Sequence, residues 1–193
     1  REAARILAES RRVVIVDTGG SGAGTQAGNI TLDAPIAMTA CAPATLEFRA
    51  ANNIYLTGNA DISSSTGALS VILNSDRDEV AGGAVWLQPG SSIATNGGSL
   101  TIGGGANPLA TPARFSGDIH QGVQIEGASI FTAAGSISMI GEGEGNLPGT
   151  LDRDGVNIVA GSTVRTTSGV INIRGSVQLL PGGRPEPRPR GAR

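Results

Sequence analysis

The sequence predicts an all-β chain folded as a right-handed parallel β-helix (a solenoid), with a short N-terminal helix and a disordered C-terminal tail. Three observations lead there. A unit of two short apolar runs, with a single apolar residue between them, recurs four or five times. Within each run the apolar residues alternate with period two, as strands do when one face is buried. The composition also suits stacked layers better than one thick core. The 193 residues include 30 Gly but only 3 Phe, 1 Trp and 1 Tyr, and 16% are charged.

The elements follow in chain order. Residues 1–12 (REAARILAESRR) set Ala3, Ile6, Leu7 and Ser10 on one helical face and are expected to cap one end. Val13-Val-Ile-Val16 reads as a fully buried strand entering the first rung, so residues 1–16 form a helix and entering strand. The solenoid then occupies 17–180. A degenerate copy, Ile30-Thr-Leu32, Ile36 and Leu46-Glu-Phe48, opens it. Four regular copies begin at Ile54, Val85, Val123 and Val156, with Ile62, Ile93, Ile130 and Val164 as middle anchors. Their second runs follow a glycine at Leu69, Leu100, Ile137 and Ile171, which lie 15, 15, 14 and 15 positions beyond the start. The degenerate copy has a spacing of 16. Extra length therefore falls in three loops, 74–84, 103–122 and 140–155, all leaving from the corner after the third strand. The glycine-rich stretch around Glu142 and Glu144 reads as flexible loop. Val177-Gln-Leu179 is expected as the last strand, and the Pro/Arg-rich residues 181–193 as a disordered tail. Five rungs ~4.8 Å apart give a helix only ~24 Å long, so its ends need caps or further coils.

Charge narrows the choice of partner. The net charge is −2, yet residues 1–12 carry +2 and 184–193 carry +3, which leaves −7 for the folded middle. Such a body repels nucleic acid. Every basic residue is arginine. No apolar run reaches the ~18 residues of a membrane-spanning helix. No signal-peptide pattern opens the chain, and its non-Met start is expected of a mature product or a piece of a longer one. Cys41, the one cysteine, has no internal disulfide partner and is expected as a small core residue.

The phrases AGNITL (27–32), LEFRAANNIYL (46–56), GALSVILNSDRD (67–78) and SSIATNGGSLTIGGG (91–105) resemble filamentous-haemagglutinin-type repeats. The resemblance runs from about Gly28 to Val177. It implies a right-handed β-helix in a secreted or surface-attached bacterial protein, typically an adhesin exported by two-partner secretion. That family's amino-terminal secretion domain is not in the sequence, so an internal or downstream piece of a longer fibre is implied.

Two features are candidate sites. In NSDRDE (74–79), Asn74, Asp76 and Asp78 offer oxygens at i, i+2 and i+4, a spacing that can wrap calcium. The positions of an EF-hand glycine and distal glutamate hold Glu79 and Val85 instead, so a capped turn with Arg77 pairing locally is the simpler reading. The second Asp-Arg-Asp, at 152–154, lies four residues before its next strand, whereas Asp76 lies nine before its own, so the two are not equivalent. Tyr55 and Trp86 occupy equivalent middle positions one rung apart. Facing outward, they would form an aromatic patch for a sugar or a protein partner. His120, the only histidine, is expected to be exposed. The function expected is a structural or adhesive surface element that presents loops to a protein or glycan, with no cofactor unless calcium binds. One alternative is a glycan-active enzyme using Asp76, Asp78, Glu79, Asp118, Asp152 and Asp154 with Arg77 or Arg153. Another is a subunit stacked on neighbouring subunits through its solenoid ends.

Overall fold

The computed structural model describes residues 13–19, 28–80, 82–117, 119–145, 153–159 and 161–178. The expected helix over 1–12 and the tail over 181–193 lie outside them. The chain is a right-handed parallel β-helix with three sheets. An entering strand, β1 (Val13–Asp17), is followed by five coils of three strands each. The first coil holds β2 (Ile30–Leu32), β3 (Ile36–Met38) and β4 (Ala44–Arg49), and the second β5 (Ile54–Leu56), β6 (Asp61–Ser64) and β7 (Leu69–Ser75). The third holds β8 (Val85–Leu87), β9 (Ser92–Ala94) and β10 (Leu100–Gly104), and carries an extra short strand, β11 (Ala113–Arg114). The fourth holds β12 (Val123–Glu126), β13 (Ser129–Phe131) and β14 (Ile137–Glu144), and the fifth β15 (Val156–Val159), β16 (Thr163–Arg165) and β17 (Ile171–Gln178). No helix among the described residues is long and apolar enough to cross a membrane.

The core consists of aliphatic columns running along the axis. Ile30, Ile54, Val85, Val123 and Val156 form one column, and Leu32, Leu56, Leu87, Ile125 and Ile158 the next. Ile36, Ile62, Ile93, Ile130 and Val164 line the second sheet. The third sheet contributes Leu46, Val71, Leu100, Ile137 and Ile171, with Phe48, Leu73, Ile102, Met139 and Ile173 beside them. Like stacks on like because every coil repeats the same inward positions, so no single rung needs a large side chain.

One register differs from the sequence alignment. Leu100 pairs with Val71, not with Leu69, which instead lies opposite Ala44. Nine residues separate the middle anchor Ile62 from Val71 in the second coil, against seven from Ile93 to Leu100 in the third, so β7 is shifted by two residues. Such a slip keeps the same face inward and leaves the hydrophobic alternation unchanged.

The second-to-third corner has its own small repeat, Ser64/Thr95/Thr132/Thr166 followed three residues later by Gly67/Gly98/Gly135/Gly169. The Ser64, Thr95 and Thr132 hydroxyls each donate to the carbonyl of that glycine at 2.5 Å, and Gly169 N donates to the Thr166 hydroxyl at 3.0 Å. A Cβ on Gly135 would lie 1.9 Å from the Gly98 carbonyl oxygen, and one on Gly98 2.1 Å from that of Leu69. Only glycine lets successive rungs approach this closely.

Three further expectations are corrected. The entering strand is not fully buried: Val14 and Val16 face the core, but Val13 and Ile15 stand on the outer face, 56% and 46% exposed. An end strand of a one-walled sheet has one wet side whatever its composition. The last strand is not a separate segment beginning at Val177, because β17 runs unbroken from Ile171 to Gln178 along β14. Cys41 is exposed, on the turn between β3 and β4, where the chain leaves the extended conformation that would have turned its side chain inward.

Candidate functional site

The outer face of the first sheet carries a polar and aromatic row, Thr31, Tyr55, Trp86, Gln124 and Asn157, one residue per coil. Their inward neighbours are core residues, so alternation fixes these side chains outward. The Tyr55 and Trp86 rings face each other with centroids 6.5 Å apart and planes tilted by 58°, a favourable tilted aromatic pair. Asn53 Nδ2 donates to the Tyr55 hydroxyl at 3.0 Å, while Asn53 Oδ1 accepts from Ala84 N at 2.7 Å. Asn53 thereby ties the ring to the next coil. Gln124 reaches Glu126 at 3.3 Å. The Trp86 indole nitrogen is buried and donates to nothing in the protein. Both rings are half-buried.

The loop-bearing corner follows the third sheet. β7 ends at the inward Ser75, whose hydroxyl donates to Gly83 O at 2.7 Å, with Asn74 just before it on the opposite side. Asp76 turns the chain with φ +47°, and Glu79 repeats the left-handed conformation at +56°. Both Asn74 and Asp76 are buried, at 4% and 1% exposure. The backbone closes over them: Asp76 N donates to Asn52 O, and Gly105 N bridges Ser75 O and Asp76 O. Ala106 N donates to Glu79 Oε1 at 3.1 Å. Burial pushes the Asp76 carboxyl above its usual range. The Arg114 charge and the Gly82 backbone N–H work in the other direction, and Asp78 and Glu79 add to the rise. Asp78, the third candidate, is half-buried beside them. Arg77 does pair, but across the fold, with Asp17 at 3.3 Å.

Along the same edge β14 extends past its core residues as Gly141-Glu-Gly-Glu144. This segment is a strand, not the flexible loop expected from its glycines, and it pairs with β17 on one side and with β11 on the other. The glycines face inward, where a Cβ on Gly141 or Gly143 would lie 1.8 or 1.9 Å from the Gly155 or Arg153 carbonyl oxygen. The glutamates face out. Glu142 accepts from Arg114 Nε at 3.0 Å. Glu144 Oε2 lies 2.6 Å from His120 Nδ1 and 2.5 Å from Arg153 Nη1, the latter out of line for a hydrogen bond. His120 is exposed, as expected. Asp118 and Asp152 lie outside the described residues, and Asp154 is exposed.

Of the carboxylates proposed for glycan chemistry, Asp76 is sealed, and among the described residues Asp78 is half-buried while Glu79 and Asp154 are exposed; of the two arginines, Arg153 is engaged by Glu144. Among the described residues, no three His, Cys, Asp or Glu side chains cluster as metal ligands. The two Asp-Arg-Asp segments do differ, since Arg77 pairs backward to β1 and Arg153 to the end of β14. Sequence reasoning missed Asn53, Arg114 and Glu142. The Gly-Glu alternation of 141–144 was the available sign of a strand, whereas the Arg114–Glu142 pair leaves no local pattern. No protein-family model, curated protein or solved structure matches the chain.

Proposed function

We propose that this chain is a structural, adhesive β-helix segment, secreted or displayed on a bacterial surface, that meets a glycan along the Tyr55–Trp86 row. The observation that carries the reading is the aromatic pair itself, held on an outer sheet face with Thr31, Gln124 and Asn157 in the same line. An aromatic ring offers an apolar face to a sugar ring, and the flanking hydroxyl and amides supply donors and acceptors at one per rung, ~4.8 Å apart. The secreted location rests on the resemblance of the repeats to filamentous haemagglutinin. Because Trp86 is the one tryptophan, its fluorescence reports on the row directly. Titration with a panel of soluble polysaccharides should shift or quench that emission, and Trp86→Ala should abolish retention on the polysaccharide that responds. Absence of response across the panel would sink the glycan reading, and response only to a protein would move the partner to that class. Appearance of new reducing ends or unsaturated sugars would replace adhesion by glycan cleavage.

A second reading is favoured by one observation. In the fifth coil, Ile158, Ile171 and Ile173 continue columns that are buried in the fourth, yet they are 37–41% exposed, beside Val177 at 49%. A further coil, from a neighbouring subunit or a longer chain, would complete those columns and pair strand edges that have no partner among the described residues.

A further inference from the structure

We propose that the corner after β7 is a calcium site, with Asn74 Oδ1 and Asp76 Oδ1 as its side-chain ligands. These two oxygens are buried and accept no hydrogen bond within the protein. Buried polar atoms are almost always partnered, so two orphan oxygens two residues apart, one near the end of β7 and one on the turn after it, point to a missing electrophile. Arg77 reaches Asp17 through Nη1 and Arg114 reaches Glu142, so neither is hydrogen-bonded to these oxygens, although the Arg114 charge acts on Asp76 and Arg77 Nε is buried without a partner. Asp78 and Glu79 follow within three residues and are further carboxylates on the same turn.

The donor set selects the ion. An amide oxygen and a carboxylate oxygen are hard ligands, without thiol or imidazole. Calcium accepts six to eight such oxygens in loose geometry and completes its shell with backbone carbonyls and water, whereas magnesium requires a near-ideal octahedron. Among the described residues no three acidic or histidine side chains form a metal-ligating group, so a site with one carboxylate ligand falls in the weak range of extracellular modules, on the order of 0.1–1 mM. The site differs from an EF-hand loop. It is half of a turn whose other half, the 105–112 loop, comes from the next coil, so binding would brace the two coils together.

The test uses the full chain after chelator treatment, titrated with CaCl2 and, separately, MgCl2 by calorimetry and thermal melting. Calcium at 10 mM should raise the Tm by several degrees, with magnesium giving a smaller shift. Asp76→Asn preserves shape and tolerates the positive φ, and it should weaken calcium binding at least tenfold. Asn74→Asp, which adds a second carboxylate, should tighten it. An unchanged wild-type Tm and no binding heat at 10 mM would overturn the proposal, and so would an Asp76→Asn response equal to that of the wild type. Should Asp76→Asn fail to fold, Asn74→Asp decides alone: tighter binding upholds the site, and equal or weaker binding removes it.

Discussion

Trp86 lies one rung beyond Tyr55 in direct register, its ring centroid 6.5 Å from the phenol ring. The two rings come from different coils and meet only because both coils keep the same outward position. A double-mutant cycle on Tyr55→Ala and Trp86→Ala, read by urea unfolding, should therefore show a coupling of about 0.5–1.5 kcal/mol. A coupling of zero would mean that each ring packs on its own loop instead.

The glycine column is the least tolerant part of the scaffold. Gly135→Ala would place its Cβ 1.9 Å from the backbone oxygen of Gly98, which cannot move without shifting a rung. A loss above ~2 kcal/mol is expected. Gly97→Ala at the same corner meets nothing within 4 Å and bears only the cost of its φ of +98°, about 1 kcal/mol. Chemical denaturation of the two variants should rank them in that order.

Thr132 is fully buried, and its hydroxyl closes the corner on Gly135 O. Thr132→Val keeps the shape and removes the bond, so the melt should show a loss of about 1–2 kcal/mol. Thr166, half-buried in the last coil, should lose less on the same change.

Arg114 and Glu142 fasten the loop after β10 to the far end of β14. Arg114 is partly exposed and screening discounts the pair, so Glu142→Gln should cost only about 1 kcal/mol globally. Its local effect should be larger: amide exchange in 113–120 should accelerate while the core strands stay protected. Equal acceleration everywhere would contradict this.

The exposed fifth-coil column gives a concentration test of assembly. Ile173→Glu should shift any self-associated species toward monomer in sedimentation, while leaving the Tyr55–Trp86 response intact. A wild-type protein that sediments as monomer at all concentrations would rule out self-stacking.

The columns were legible in the sequence because a repeating rung writes its inward residues at fixed positions; Ile54, Val85, Val123 and Val156 align in the structure as they do on paper. The pairing of Val71 with Leu100 was not, since period-two alternation is blind to a two-residue slip. Gly141–Glu144 was misread because glycine is usually evidence for a turn. Here its lack of a side chain lets strands crowd together, and the interleaved glutamates carry the outward signal. Asn74 and Asp76 were visible as a spacing of oxygens. Their burial depends on a loop from the following coil, closing through Gly105 and Ala106, and no local window contains that contact.

The corners of this solenoid age differently. At the Ser/Thr-x-x-Gly corner, an insertion between the hydroxyl and the glycine would have to displace carbonyls already in contact with the glycine column. At the edge holding the turn after β7, the loop after β10 and the extension of β14, length has already varied from coil to coil around an unaltered interior. Added length is best placed along that seam, and a peptide grafted near Ala106–Ala110 would inherit a rigid, linear array of neighbours instead of a scattered set.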